Sequence, residues 1–280
     1  MRIGICGMGY VGRALERFFR RAPENELCVY DKFISGVDSH SHQDSLNNAE
    51  LVFVAVPTPT ASDGSCDTIQ VEDAAQWITS PICIKSTIIP GTVDRLAAIT
   101  GRRIAFSPEY IGESESHPWT EVDSCGFLIV GGHDDVSHLV IQAYKQCERV
   151  HLRVHKTSAR AAELCKYMEN AFLATKVTFV NQFFDIADSL GVDFDELRQL
   201  WLLDGRVGES HTRVTPERGF SGRCLPKDLL AMISAMRGHG GAPLLEAIFS
   251  YNEVLNRPNS ERYMYSAAER DFDGASENAL

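Results

Sequence analysis

The sequence predicts an α/β protein. A doubly wound parallel sheet is expected over residues 1–155, then an all-helical domain over 156–260 built on one long central helix, and a loose tail over 261–280. Three observations carry this expectation. Short apolar runs alternate with segments of helical spacing through the first half, as in repeated βα units. A GxGxxG stands between the first apolar run and the first helical segment. The second half opens on a long stretch of helical spacing between Ser158 and Gly191, with no internal breaker.

Arg2 to Cys6 reads as a short buried strand, and Ala14, Leu15, Phe18 and Phe19 follow at helical spacing. Between them lie Gly7, Met8, Gly9, Tyr10, Val11 and Gly12. Gly7 suits a tight turn, Gly9 the close approach of a pyrophosphate, and Gly12 close helix–strand packing. The helix N-terminus would hold the phosphates. The second strand, Leu27 to Tyr30, ends on Asp31. An acid there accepts hydrogen bonds from the adenosine ribose and repels a 2′-phosphate, which favours NAD over NADP; Lys32 stands beside it. These features make the first domain Rossmann-like.

Further strands are expected at Leu51 to Val56, Ile82 to Ile84, Arg103 to Phe106, Phe127 to Val130 and Val150 to Val154. Helices are expected at Asp67 to Ile78, Thr92 to Ile99 and Asp134 to Gln146. Ligands of such sheets bind at the carboxyl ends of the strands. Three polar segments there are candidate walls: Pro57 to Thr60; Ser86 and Thr87; and Glu109 to Glu113 with Tyr110 and Ile111. A polar loop is expected around His40 and His42, within the short stretch from Tyr30 to Leu51. His40 and His42 within it have no cysteine or carboxylate at ligand spacing, and no metal site is expected.

Thr157 and Ser158 can cap the long helix, and Gly191 can end it. Its apolar stripe is too wide for a one-sided surface helix, which suggests burial against its own domain and a second subunit. Lys166 and Asn170, four apart, project from one face. Shorter helices are expected at Asp193 to Leu203, Leu225 to Met236 and Leu244 to Asn256. Between the first two lies a long loop with Arg206, His211, Arg213 and Arg218, whose basic side chains suggest an anion site. The loop ends in Gly219, Phe220, Ser221, Gly222, Arg223 and Cys224, just before Pro226, Lys227 and Asp228. A cysteine ahead of a helix N-terminus and beside a lysine is favoured as a thiolate, the nucleophilic form.

A formal net charge of −11 argues against nucleic acid and anionic membranes as general partners, since both need a basic face. No apolar run reaches membrane-spanning length. The 8 cysteines include no CxxC pair, which fits neither a zinc site nor a disulfide scaffold, and a cytoplasmic setting is expected.

Seven stretches in order resemble the UDP-glucose/GDP-mannose dehydrogenase family: GMGYVG, VAVPTPT, KSTIIPGT, SPEYIGES, AELCKYMENAFLATKVTFVNQF, GRVGESHTR and GFSGRCLPKD. The resemblance implies an NAD-dependent oxidation of a nucleotide sugar's primary alcohol to the acid, UDP-glucose favoured, in two steps and without a metal. It implies Cys224 as nucleophile, with Lys166, Asn170 and Asp228 as catalytic polar groups. Thr87, Glu109 and Glu113 would lie near the reacting carbon and the catalytic water. On the same basis Val56, Pro57, Thr58, Thr87, Glu113 and Lys227 join Gly7, Gly9, Tyr10, Val11, Gly12, Asp31 and Lys32 as cofactor-binding candidates. Substrate-binding candidates are Glu109, Tyr110, Ile111, Lys166, Asn170, Arg206, His211, Arg213, Phe220, Gly222 and Cys224. Arg206 resembles an arginine that reaches the neighbouring subunit's substrate, which implies a homodimer.

Family members continue past the last helix into a second Rossmann-like domain that holds much of the nucleotide. The expectation is therefore a short form, in which the loop from Gly205 to Arg223 and the partner subunit supply nucleotide contacts. The family's GFGG is GFSG here, so Ser221 needs room or a compatible backbone angle. Two other readings stand beside this one: a dehydrogenase of a smaller hydroxyacid, whose families also pair a Rossmann domain with a helical one and use a Lys/Asn pair, and a degenerate NAD-binding module that serves a protein partner.

Overall fold

A computed structural model describes residues 1–112, 117, 119–149 and 151–257. Glu113 and the expected tail lie outside the described residues. The chain divides into two compact units, Met1–Tyr167 and Met168–Leu280.

The first unit is built on a seven-stranded sheet. Its strands are β1 (Arg2–Cys6), β2 (Glu26–Tyr30), β3 (Leu51–Val54), β4 (Ile82–Ile84), β5 (Ile104–Phe106), β6 (Phe127–Gly132) and β7 (Arg153–Thr157), in the order β2-β1-β3-β4-β5-β6-β7. The first five pair in parallel. β6 runs antiparallel to β5, with Ala105 opposite Gly132, and β7 follows β6 in parallel. Among the described residues no helix lies between β5 and β6. A parallel pair needs a crossover, usually helical, whereas an antiparallel pair does not.

Among the described residues, five helices belong wholly to this unit: α1 (Tyr10–Phe19), α2 (His40–Asn47), α3 (Ile69–Trp77), α4 (Thr92–Thr100) and α5 (Asp134–Cys147). The strands alternate their side chains between two cores. Ile3, Ile5 and Phe53 pack with α1 and α5, where Phe19 stacks on Phe53 at 4.9 Å. Val52, Val54 and Ile82 pack with α2, α3, α4 and with Ala159 and Ala162. β1 lies between β2 and β3, so the chain reverses its direction of growth there. The carboxyl ends of β1 and β3 therefore flank the topological switch point, where such sheets hold ligands.

The segment read as a polar loop contains α2, and His40 and His42 lie on that helix. They face Gln43 and Ser39, at 3.0 and 2.6 Å. Leu46 is its one buried residue, so there was no apolar stripe to read. β7 starts later than expected because it is mostly exposed and owes its place to pairing with β6 rather than to an apolar run.

The helix α6 (Ala159–Ser189) runs from the first unit into the second. Ser158 Oγ accepts from the Ala161 amide at 3.2 Å, the expected cap. At the other end Gly191 is left-handed (φ +68), and the Val192 amide reaches back to the Ala187 carbonyl at 2.9 Å. The second unit continues with α7 (Phe194–Trp201), α8 (Leu225–Met236) and α9 (Pro243–Leu255). Ala174, Phe220, Leu229 and Ile248 form its core.

The glycine turn after β1 shows three separate constraints. Gly7 is left-handed (φ +94), and a Cβ on it would lie 2.5 Å from the Ala55 carbonyl oxygen. A Cβ on Gly12 would lie 1.9 Å from the Gly7 carbonyl oxygen. A Cβ on Gly9 meets nothing within 4 Å. Gly7 and Gly12 are thus required by packing, while Gly9 borders open space. Gly12→Ala is expected to lower the melting temperature by many degrees or prevent folding. Gly9→Ala is expected to move it little but to weaken dinucleotide binding, read by NADH fluorescence titration. A Gly12→Ala protein as stable as wild type would contradict the turn described here.

Candidate active site

The glycine turn is braced by its surroundings. The Gly7 amide donates to the Tyr30 carbonyl at 2.8 Å, which ties the turn to the end of β2. Asp31 accepts from the Met8 amide at 2.7 Å and from the Phe33 amide at 2.8 Å. Each carboxylate oxygen retains acceptor capacity for a ribose hydroxyl. Lys32 is exposed beside it, and Val11 packs against the core. The Tyr10 hydroxyl donates to the Gly112 carbonyl. Gly9 precedes the first turn of α1, which contains no acidic residue to compete for its amides. Open space at Gly9, free helix-start amides and an acid at the end of β2 fit a dinucleotide.

The expected walls at β3 and β4 bond to each other. Thr58 Oγ1 donates to the Thr87 carbonyl at 2.9 Å, and Ser86 Oγ to the Val56 carbonyl at 2.7 Å. Pro57 is exposed and Thr87 half-buried.

Glu109 is in an unexpected environment. Its Oε2 lies 3.3 Å from Lys85 Nζ, with both side chains at least nine-tenths buried. Lys85 also donates to Ser107 Oγ, the Pro108 carbonyl and the Tyr144 hydroxyl, at 3.3, 3.2 and 3.1 Å. Burial would push the Lys85 ammonium down, but the Glu109 carboxylate and Tyr144 hold it above the ordinary lysine value. Glu109 Oε1 accepts from the Tyr110 and Ile111 amides at 2.8 and 3.2 Å. Glu109 is thus engaged inside the unit by Lys85, a residue the sequence did not single out. Tyr110 is buried, and its ring carries the Lys166 ammonium 4.6 Å from the centroid. Ile111 packs against the core.

Glu163 is another buried acid missed in the sequence. It accepts from the Gly91 and Val93 amides at 2.6 and 2.9 Å, capping α4 from α6. Burial pushes its carboxyl up, opposed by those two amides. Its position four residues after Ala159 gave no sign of this.

The second unit holds the cysteine site. Cys224 is exposed and caps α8, its carbonyl accepting from the Asp228 amide at 2.9 Å. Pro226 stands in the first turn, where its missing N–H costs nothing. Asp228 is 2% exposed. Its Oδ2 accepts from Asn170 Nδ2 and its Oδ1 from Lys227 Nζ, both at 2.5 Å. Asn170, Lys227 and Asp228 therefore meet one turn after Cys224. By contrast, burial pushes the Cys6 and Cys83 thiols up to about 12, so they stay protonated and inert.

The turn before Cys224 is held by Asn252, which was not anticipated. Asn252 accepts from the Phe220 amide at 2.7 Å and donates to its carbonyl at 2.9 Å. A Cβ on left-handed Gly219 would lie 2.5 Å from Asn252 Oδ1. The Phe220 ring is committed to the core, so only its backbone is left for the expected substrate contact. Gly222 (φ +84) has open space around it. Ser221 is exposed and is not left-handed, so the extra side chain is accommodated.

The cations of the long loop are matched by nearby acceptors. Arg218 pairs with Asp185 at 2.6 Å and donates to Asn181 Oδ1 at 2.7 Å. Arg213 pairs with Glu209 at 3.4 Å, and Arg206 with Asp204 at 2.5 Å. His211 is left-handed (φ +61) and bonds Ser210. Arg218 is an anchor of the loop rather than a member of an anion site. Arg206 is exposed, and among the described residues its ion-pair partner is Asp204.

Comparison with known proteins assigns these features to a family. Residues 29–148 match the NAD binding domain of the UDP-glucose/GDP-mannose dehydrogenase family, and residues 160–254 match its central domain. A UDP-glucose 6-dehydrogenase of Rickettsia conorii is 29% identical over 260 residues, covering 88% of this chain and 56% of that protein. One of Pseudomonas aeruginosa is 29% identical over 300 residues, covering 90% of this chain and 65% of that protein. A solved UDP-glucose dehydrogenase from the archaeon Pyrobaculum islandicum aligns with a TM-score of 0.75 at 25% identity, covering 98% of this chain and 71% of that one. This chain thus spans 56% and 65% of the length of those two curated relatives. With both domain models matching in order, the chain belongs to the UDP-glucose/GDP-mannose dehydrogenase family.

Proposed function

We propose that the protein is an NAD-dependent nucleotide-sugar 6-dehydrogenase that oxidises UDP-glucose, or a closely related sugar nucleotide, to the uronic acid. The observation that carries this reading is the cluster at the start of α8: exposed Cys224, with Asn170, Lys227 and Asp228 bonded together one turn away. The names of the 29%-identical relatives support the UDP-glucose assignment.

Two NAD, bound one after the other, would each accept one hydride in two successive oxidations. The expected contacts of each are the glycine turn, Asp31, Lys32 and the walls at Val56 to Thr58 and Thr87. Between the two oxidations Cys224 Sγ adds to the aldehyde carbon, and the resulting thiohemiacetal keeps the aldehyde bound. After the second oxidation a thioester remains. Water adds to its carbonyl, the thiolate leaves, and the acid is released. Lys166 and Asn170 serve the oxyanion at each stage, as a charge and an amide donor. Asp228, with Glu113 as the other candidate, takes the proton from water. Asp228 also orients the Asn170 amide and the Lys227 ammonium. Glu109 acts on the site from within through its neighbours, and the loop with Arg206, His211 and Arg213 supplies substrate contacts, Arg206 across a dimer.

A homodimer is supported by an apolar stripe on α6. Met168, Phe172, Phe179, Phe183 and Ile186 are exposed on α6 at spacings of three, four or seven, and Leu190, just past its end, continues the row. Monomeric proteins rarely leave so much contiguous apolar surface in water.

Two outcomes are expected. Cys224→Ser and Cys224→Ala should form acid at least about a thousandfold more slowly, with NAD affinity retained; acid formation at the wild-type rate would remove Cys224 from the mechanism. Sedimentation equilibrium at micromolar concentration should give a dimer that Phe172→Glu/Phe183→Glu dissociates, and a wild-type monomer would contradict the pairing.

A further inference from the structure

We propose that Tyr110 positions the Lys166 ammonium, and that the buried Lys85–Glu109 ion pair holds Tyr110 in place to do so. The inference deepens the function proposed above and depends on it only for the effect on turnover. All four residues belong to the first unit.

The chain of contacts is continuous. Lys85 Nζ is fixed by three oxygen partners on Ser107, Pro108 and Tyr144. From there it faces Glu109 Oε2 at 3.3 Å. The other oxygen of Glu109 accepts the amides of Tyr110 and Ile111, so the acid braces the backbone of the next two residues. The Tyr110 ring is held edge-on to Phe127, with centroids 5.0 Å apart, and to Trp119 at 6.4 Å. Its face is turned to Lys166 Nζ, 4.6 Å from the centroid.

A lysine on a four-carbon stem has many rotamers, and a ring face attracts its charge without taking up its protons in hydrogen bonds. An ammonium held this way keeps all three donors for an oxyanion while its position is restricted. Tyr110, Glu109 and Lys85 are therefore positioning residues. Lys85 and Glu109 supply a charge pair whose removal by halves would leave an uncompensated buried ion.

The test reads the ring directly. Lysines are reductively dimethylated with ¹³C, which keeps their charge, and the Lys166 resonance is assigned by its loss in Lys166→Arg. Wild type and Tyr110→Phe should show that resonance shifted upfield by the ring; Tyr110→Leu should return it to the exposed-lysine position. The double variant Lys85→Met/Glu109→Gln, which leaves neither charge unpaired, should also move it toward that position. With a nucleotide sugar, kcat of Tyr110→Leu should fall about 10- to 100-fold below that of Tyr110→Phe, with KM for NAD unchanged between them. A Lys166 resonance that Tyr110→Leu leaves in place would overturn the positioning, and equal kcat values for the two Tyr110 variants would overturn its role in turnover. A wild-type protein that oxidises no nucleotide sugar would sink the proposed function, while the resonance would still decide the geometry.

Discussion

The hydrogen bond between Asn170 and Asp228 is the constraint on which the cysteine site depends. A carboxylate buried to 2% exposure is costly unless its charge is matched and its oxygens are bonded. Here an amide from α6 takes one oxygen and the Lys227 ammonium takes the other. The bond spans 58 residues of sequence and ties the long helix to the first turn of α8. Because Asp228 also donates its amide to the Cys224 carbonyl, the position of the cysteine's backbone follows from the same contact. The cysteine is exposed while Asn170 and Asp228 behind it are buried and bonded, an arrangement that combines access with rigidity.

The first unit solves a different problem with related means. Its sheet places the glycine turn, the Thr58–Thr87 contact and the start of the Glu109 turn at strand ends. Such ends are irregular backbone, and each is secured by a polar side chain. Asp31 takes the Met8 amide, Thr58 the Thr87 carbonyl, and Lys85 the Pro108 carbonyl. Arg21 pairs with Glu121 and Asp123, both at 2.8 Å, and holds the segment before β6. The long loop of the second unit is secured likewise: Lys176 donates to the Gly208 carbonyl at 2.9 Å, Arg198 to the Thr212 carbonyl at 3.0 Å, and Arg218 to Asn181. Lys176 and Arg198 on the helices and Arg218 in the loop thus serve the loop's own order.

The parts legible in the sequence are those set by local chemistry. β1 and α8 occupy the residues expected, since an apolar run ending in glycine and a proline followed by helical spacing are both local signals. Gly7, Gly9 and Gly12 could be assigned separate tasks from their spacing alone, and each meets a different environment. What escaped notice was set at long range. α2 has one buried residue and no stripe, and β7 is an exposed edge. Glu109 read as an available polar wall because its partner Lys85 lies 24 positions away, on the far side of a helix and a strand. Glu163 and Asn252 look like ordinary helix residues until the amides they serve are brought to them by folding. Phe220 stands beside two glycines in the sequence, and only the fold shows that its ring fills the core while its backbone stays at the turn.

In the function proposed, one cysteine-centred site carries a sugar alcohol through two oxidations without releasing the aldehyde between them. Counting NADH formed per UDP-glucose consumed, with the sugar product identified by mass, tests this most directly. The account predicts two NADH for each sugar and an acid product with no free aldehyde. One NADH per sugar with aldehyde released, or none while NAD still binds, would contradict it.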